Sequence, residues 1–504
     1  MGYDKDRGLL HDLLTQGAID YNSRTAVSNA SGKRTHGELW ERSFTAARAL
    51  VTNGVKLGDR VLLVLSDALI APELIFGVSL AGGVFVIQDA ATPKERLKYV
   101  VHDADPRLIV TDVLAARDIG ALLRVDTVSP VDLAGSADDV LLPIVHPSDT
   151  ICLVYTSGST ADPKAVISTH EQVRFSVAAI QSVLKYRQDD VIFNVLPLTF
   201  DYGLYQVFLA ALAGSHLILA NERSSGSSLL WNLRTSGTTV LPAVPALLSN
   251  LLRMLSRKPK GFERLRLITN TGGDLPPNVA CSLRDLLPRL TIHAMYGLTE
   301  CKRATIMPAE FDVTKAGSCG LPLPGTEVFV VNNEGDPVAP GIEGQICVSG
   351  PNVMSGYWHQ PALTKTRFKT RADGTRILLT GDYGWIDDSG YLYFIGRRDD
   401  IYKQRGFRVS STEVESAASS IAGVALAVVV PPSTGERADL LVEGSVQPRD
   451  VLNSLSTLLE EAKLPGRCIW VDTIPTTANG KVDRRWAAGL SRQIEDGGEH
   501  VEVL

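Results

Sequence analysis

Four short segments combine residue types suited to phosphate chemistry. The first is Tyr155-Thr-Ser-Gly-Ser-Thr-Ala-Asp-Pro-Lys164, in which an apolar run, ICLVY, enters a stretch of small hydroxyl residues and glycine that ends on a lysine. Small side chains let backbone N–H groups close on an anion, hydroxyls add donors, and lysine adds charge. The GxxxxGK[ST] spacing is missing, which disfavours a Walker-type NTPase; an ordinary Ser/Gly turn is the alternative. The second is Tyr296-Gly-Leu-Thr-Glu300. Its glutamate suits Mg2+, its threonine a phosphate oxygen and its tyrosine the face of a purine. A plain strand-to-loop turn explains it as well. The third is Leu379-Thr-Gly-Asp382, followed by Tyr391-Leu-Tyr-Phe-Ile-Gly-Arg397-Arg-Asp399. Asp382 is expected at a strand end, where a carboxylate can accept from two ribose hydroxyls. The fourth is Pro475-Thr-Thr-Ala-Asn-Gly-Lys481, whose lysine taken alone reads as a surface residue.

The elements around these segments predict an α/β protein. VLLVLS (61–66), GVFVIQ (83–88) and LIVTDV (108–113) read as buried parallel strands separated by helical periodicity. LITNTGG (267–273) and TIHAMYG (291–297) read as further strands running into loops. After residue 320, turn signals at NNEGDP (332–337) and DDSG (387–390) predict a small β-rich subdomain. The last hundred or so residues predict a helix near Ser411–Ser420, a strand at Val424–Val430 and a helix near Val451–Ala462. A boundary is expected beside Arg398–Asp399, where GRRDD is polar enough for an exposed hinge.

Composition excludes several classes. The 504 residues exceed one ordinary core, and 44% hydrophobic with 21% charged residues is a globular balance. A net charge of −6 offers no basic excess for nucleic acid or an anionic membrane. Cys152, Cys281, Cys301, Cys319, Cys347 and Cys468 form no CxxC pair, which fits reduced thiols in a cytoplasm. The start, MGYDKDRGLLHDLL, is too acidic for a secretory signal. The apolar stretch from Val61 to Gln88 is broken by Asp67, Glu73 and glycines, and predicts strand, helix and strand rather than a membrane span.

Together, and in this order, the four segments resemble the ANL superfamily of adenylating enzymes over residues 10–490. The resemblance implies a large N-terminal domain (1–398) of two α/β subdomains plus a small β-rich one. It also implies a small mobile α+β C-terminal domain (399–504) that turns about Asp399. ATP and Mg2+ are the implied cofactors. Thr156, Ser157, Gly158, Ser159, Thr160 and Lys164 would cover the ATP phosphates. Thr299 would touch the AMP phosphate and Glu300 would hold Mg2+. Gly272, Gly273, Asp274 and Tyr296, with Gly297 beside them, would line the adenine slot. Asp382 and Arg397 would bind ribose, and Lys481 would bridge the attacking carboxylate and the α-phosphate. Thr156, Glu300 and Lys481 thus carry the catalytic roles, without a covalent nucleophile. Ala161 and Ala165 stand where the superfamily usually has glycine; alanine is tolerated there if φ is negative.

The acid is read from Leu196-Pro-Leu-Thr-Phe-Asp201-Tyr-Gly, with Phe200, Asn270, Gly272 and Met295 forming the pocket. Amino-acid-adenylating members show Phe-Asp at Phe200-Asp201, the aspartate pairing with the substrate ammonium; many fatty- and aryl-acid CoA ligases have histidine in place of Phe200. An apolar acid would leave a buried carboxylate unpaired. The alternative is a structural aspartate satisfied by backbone N–H groups. Lys302 and Arg303 either bind a second substrate carboxylate or face phosphate, solvent or a structural acid. YGLTECKR together with FDYG resembles the stand-alone β-amino-acid adenylating enzymes of macrolactam polyketide pathways, which load a discrete acyl carrier protein. Three other readings stay open: an aryl or fatty acyl-CoA ligase, an ATP-dependent diazotase, and a degenerate adenylate-binding protein. With no carrier domain in sight, the thioester acceptor is expected to be a separate carrier protein or CoA.

Overall fold

The computed structural model describes residues 8–134, 140–156, 163–220, 227–257, 261–273, 275–309, 314–397, 400–404, 407–432, 437–459, 461–476 and 482–495. Two large sheets dominate it. The first runs, edge to edge, through Gly356–Tyr357, Lys164–Thr169, Thr150–Thr156, Val84–Asp89, Arg60–Leu65, Leu108–Thr111 and Asp126–Val128. Its last five strands are parallel, as the unbroken apolar runs predict. The second sheet has nine strands, and Val191–Asn194, Val240–Ala243, Leu267–Asn270 and Thr291–Tyr296 form its parallel centre. A third, antiparallel sheet holds Glu327–Val331, Gly344–Ser349, Phe368–Thr370, Arg376–Ile386 and Leu392–Arg397, the β-rich unit expected after residue 320.

The elements that build the site are, in chain order, helices α1 (Asp12–Asp20), α2 (Ala71–Leu80) and α3 (Lys94–Ala104), strands β1 (Thr150–Thr156) and β2 (Lys164–Thr169), and helix α4 (Asp201–Ala213). Strands β3 (Leu267–Asn270), β4 (Thr291–Tyr296) and β5 (Gly356–Tyr357) follow, then helix α5 (Pro361–Arg367) and strands β6 (Arg376–Ile386) and β7 (Leu392–Arg397). All ten residues of α2 are buried, as are eleven in α4. Helices apolar on every side must be enclosed by protein. These two share one apolar cluster with strands of both large sheets, and they touch at Phe76 and Phe208, ring centroids 6.2 Å apart. Asp201 therefore opens a helix sealed in the interior.

Two local expectations need correcting. Asp382 does not end a strand. It lies inside the eleven-residue β6, because Gly381 takes φ +75° and bends the strand without breaking its pairing. The helix expected at 451–462 is Pro448–Leu458. It starts earlier because Pro448 sits in the first turn, where its missing N–H costs nothing, ahead of the first apolar residue of the periodic pattern. It stops where Leu459 turns extended. The strand Val424–Val430 is as expected and the preceding helix is Ser411–Ser419. Residues 398 and 399 lie outside the described ones. On either side of them the apolar clusters are separate: those of the last hundred residues contain only residues from Tyr402 onward. No helix among the described residues is long and apolar enough to cross a membrane.

Candidate active site

β1 and β2 form an antiparallel hairpin whose last pair is Thr156 with Lys164. Helix α3 holds both ends of the connection. Tyr155 donates to Asp103 Oδ2 at 2.6 Å, and Tyr99 donates to the Pro163 carbonyl at 3.0 Å. Burial, then the Asp103 carboxylate, pushes the Tyr155 phenol far above its ordinary range, so it remains a donor. Ser157, Gly158, Ser159 and Thr160 lie outside the described residues.

After β4 the chain makes a tight turn through Glu300. The Ala304 N–H returns to the Tyr296 carbonyl at 2.9 Å, and Cys301 N–H to Leu298 at 3.0 Å. Gly297 permits it: a Cβ there would run into the Lys302 carbonyl oxygen. Asn352 fixes the far side, donating to the Cys301 and Arg303 carbonyls at 3.2 and 3.1 Å. Thr299 lies in the same turn. Glu300 Oε1 accepts from the Tyr357 hydroxyl at 2.6 Å, and Met354 N–H donates to its backbone carbonyl at 2.9 Å. Among the described residues no cluster of three metal-ligating side chains exists. One carboxylate suits Mg2+ that takes its other ligands from phosphate and water, so Glu300 fits that role and a protein-only metal cage does not. Tyr357 and Asn352 escaped sequence reasoning, because each acts about fifty residues from its partner.

Asp382 and Tyr296 are brought together across the chain: the Tyr296 hydroxyl donates to Asp382 Oδ2 at 2.8 Å. Asp382 Oδ1 is buried, and although Arg397 Nε is 3.3 Å away it accepts no directed hydrogen bond. Burial pushes this carboxyl up and Arg397 pulls it back. A buried acceptor lacking a partner suits a hydroxyl ligand such as ribose. Arg367, from α5, crosses over Gly381 and donates to the Thr380 carbonyl at 2.6 Å.

A cavity of about 3450 Å³ opens against these groups. Its wall includes Leu196–Thr199, Asn270–Gly273, Met295–Gly297, Asp382 and Arg397. Gly272 takes φ +87° there, and both it and Gly273 are exposed. Thr156, Lys164, Phe200, Asp201, Thr299, Glu300, Lys302 and Arg303 do not line this wall. Of the substrate candidates, Asn270, Gly272 and Met295 line it, while Phe200, Asp201, Lys302 and Arg303 stand one layer behind. Phe200 Cζ is 3.8 Å from where a Cβ on Gly272 would be, and the Lys302 backbone packs on Gly297.

Behind the wall lies a buried charge cluster. Asp201 is 4% exposed and Arg303 Nη1 is 3.7 Å from its Oδ2. Its position in the first turn of α4 favours a negative charge, and among the described residues no backbone N–H is bonded to its carboxylate. Arg303 stacks 4.6 Å over Tyr202, whose hydroxyl is fixed to the Thr269 carbonyl at 2.8 Å. Lys302 is 1% exposed; its Nζ makes no hydrogen bond and sits 5.7 Å from the Tyr205 ring. Its backbone is left-handed, φ +61°, a conformation rare outside glycine. Among the described residues the cluster holds one acid and two cations, one formal positive charge in excess, and a buried charge without an anion is costly.

Asp274, Asp399 and Lys481 lie outside the described residues. On the described residues either side of Lys481, Thr476 pairs with Val482, and Asp483 N–H donates to the Pro475 carbonyl at 2.9 Å.

A family model described as AMP-binding enzyme matches residues 14–358. Delta-poly-L-ornithine synthetase of Acinetobacter baumannii (strain AB307-0294) is 27% identical over 497 residues, 95% of this chain and 36% of that protein. The chain thus spans about a third of that relative, and 9% of bacitracin synthase 1 of Bacillus licheniformis. Among solved structures, VinN is 36% identical with a TM-score of 0.71, over 77% of this chain and 98% of that one; a second VinN structure is a complex with L-aspartate. ATP-bound MatB from Rhodopseudomonas palustris is 27% identical with a TM-score of 0.86, over 97% and 99%.

Proposed function

The chain belongs to the AMP-binding enzyme family, within the ANL superfamily of adenylating ligases, and we propose that it activates an amino acid with a second carboxylate, of the aspartate type. The observation that carries this reading is the buried Asp201–Arg303–Lys302 cluster with its surplus positive charge. A substrate ammonium would pair with Asp201, and a substrate carboxylate would supply the anion that Lys302 lacks. In aspartate the amino group is α to one carboxylate and β to the other. Pinning the α-carboxylate on Lys302 and Arg303 presents the other one for reaction, so the activated acid is a β-amino acid. The L-aspartate complex of VinN supports the same direction.

The presented carboxylate oxygen attacks the α-phosphorus of ATP and pyrophosphate leaves, giving the aminoacyl-adenylate. Asp382 and Arg397 hold the ribose, Lys164 and the residues before it the phosphates, and Lys481 the attacking oxygen and α-phosphate. Mg2+ on Glu300 would supply charge neutralisation at the phosphates. The phosphopantetheine thiol of a discrete acyl carrier protein then attacks the carbonyl and AMP leaves. CoA is the competing acceptor. A C-terminal domain of residues 399–504, turning about Asp399, belongs to the same proposal.

Pyrophosphate exchange tests it. Exchange is expected with aspartate-like amino diacids, weaker by about a hundredfold with succinate or with the Asp201→Ala variant, the scale of breaking a buried charge pair. Equal exchange with succinate and aspartate would end the amino-anchor reading. AMP release on adding holo-carrier protein rather than CoA identifies the acceptor.

A further inference from the structure

The Glu300 carboxylate is held by a residue that the reaction as described does not use. Tyr357 is 5% exposed, and its hydroxyl donates to Glu300 Oε1 at 2.6 Å. The phenol stands on a fixed support. β5 pairs with β2, Tyr357 opposite Val166, two residues beyond Lys164. The Tyr357 N–H donates to Thr364 Oγ1 at 2.9 Å, and its ring packs edge-on against Phe368 at 5.5 Å. Gly356 takes φ +130°, and a Cβ there would collide with Thr364, so β5 and α5 are locked together. The same segment holds the Glu300 backbone through Met354 N–H. Main chain and side chain of Glu300 are thus both tied to residues 354–357. The cation facing Tyr357 from α5 is Arg367, which also lies beside Asp382.

We propose that Tyr357 is a positioning residue: by occupying Oε1 it fixes the plane of the Glu300 carboxylate and turns Oε2 toward a divalent cation carried by the nucleotide. This rests on Glu300 being the metal-binding carboxylate. The chemistry is a general one, since a ligand oriented by an outer hydrogen bond loses less freedom on binding metal, and removing that bond costs about tenfold or more in metal affinity.

The test uses the full chain and Mn2+ titrated by electron paramagnetic resonance in the presence of a non-hydrolysable ATP analogue, alongside the Mg2+ dependence of pyrophosphate exchange. Tyr357→Phe is expected to raise the Mn2+ dissociation constant and the half-saturating Mg2+ concentration about tenfold. Its amino-acid KM at saturating Mg2+ and its thermal midpoint should stay close to those of the unaltered chain. Thr364→Val, which loosens the β5–α5 unit but keeps the Tyr357 hydroxyl, should lower the thermal midpoint and shift metal affinity much less than Tyr357→Phe does. If Tyr357→Phe slows exchange while both metal constants stay put, or shifts them no more than Thr364→Val does, the positioning role is overturned. Glu300→Gln separates the two levels: if it leaves Mn2+ binding unchanged, the metal reading itself fails, and if it weakens binding while Tyr357→Phe does not, only the positioning role does.

Discussion

Lys302 is the residue at which stability and function pull apart. Its Nζ is enclosed against Tyr205 with no hydrogen bond. A buried charge without an anion costs several kcal/mol, and an apolar residue of similar shape avoids that cost. Lys302→Met should therefore raise the thermal midpoint while raising the KM for an aspartate-type substrate about tenfold or more. Calorimetry and the exchange assay check the pair; a variant both less stable and equally active would show that Lys302 is structural. The sequence showed Cys301-Lys302-Arg303 after the Thr-Glu pair but not that Arg303 would turn to Asp201. That contact joins residues about a hundred positions apart, and it was set by Gly297, which lets the turn fold tightly enough to bury both cations.

At the scale of elements, α3 holds the chain on both sides of residues 157–162, the proposed phosphate loop. It grips the chain before the loop through Asp103 and after it through Tyr99. Tyr99→Phe removes one hydrogen bond, worth about 1 kcal/mol, and should raise the KM for ATP by about fivefold. Asp103→Asn should act in the same direction, and the circular dichroism spectrum should not change in either. If both variants bind ATP as the unaltered chain does, the grip is idle. The strand before the loop was legible from ICLVY; the one that starts at Lys164 was not predicted. The clamp was not legible: an amphipathic helix shows its apolar face in sequence, while its hydrogen bonds to residues 52 and 64 positions away depend on how the helix lies on the sheet. The same holds for Asp382, expected at a strand end but placed inside one strand that bends at Gly381.

The apolar cluster that joins both large sheets is built around α2 and α4, and the N-terminal helix α1 is fastened to that core through two buried histidines. His170 Nδ1 accepts from Leu10 N–H at 3.0 Å. His36 packs on Gly17, where a Cβ would come within 2.7 Å of its ring. Burial, then Arg24, lowers His36 from 6.5 to about 4; burial, then His11, lowers His170 to about 3. A lowered histidine stays neutral in the folded chain while the unfolded chain protonates. Their stabilisation is complete above pH 6.5 and is lost as pH falls toward 4 and below. The His36 share is about 3 kcal/mol. Glu73 and Glu415, raised by burial, oppose part of this loss. His36→Gln isolates the effect: it should be less stable than the unaltered chain at pH 7, and the gap between their thermal midpoints should close by pH 4.5. A gap constant across that range would mean that His36 does not titrate with unfolding.

The sequence by itself determined the kind of chemistry and the kind of fold. Small hydroxyls before Lys164, an acid after Thr299 and alternating β-branched and amphipathic runs are local properties, and local patterns set strands, turns and the donors they carry. The tertiary structure decided which of these groups meet. Only there does Tyr296 reach Asp382, Tyr357 reach Glu300, and Arg303 reach Asp201, leaving Lys302 unpaired beside them. The reason is burial: charge pairing and desolvation act between residues far apart in the chain, so the demand for an anion next to Lys302 arises only once the interior has closed around it.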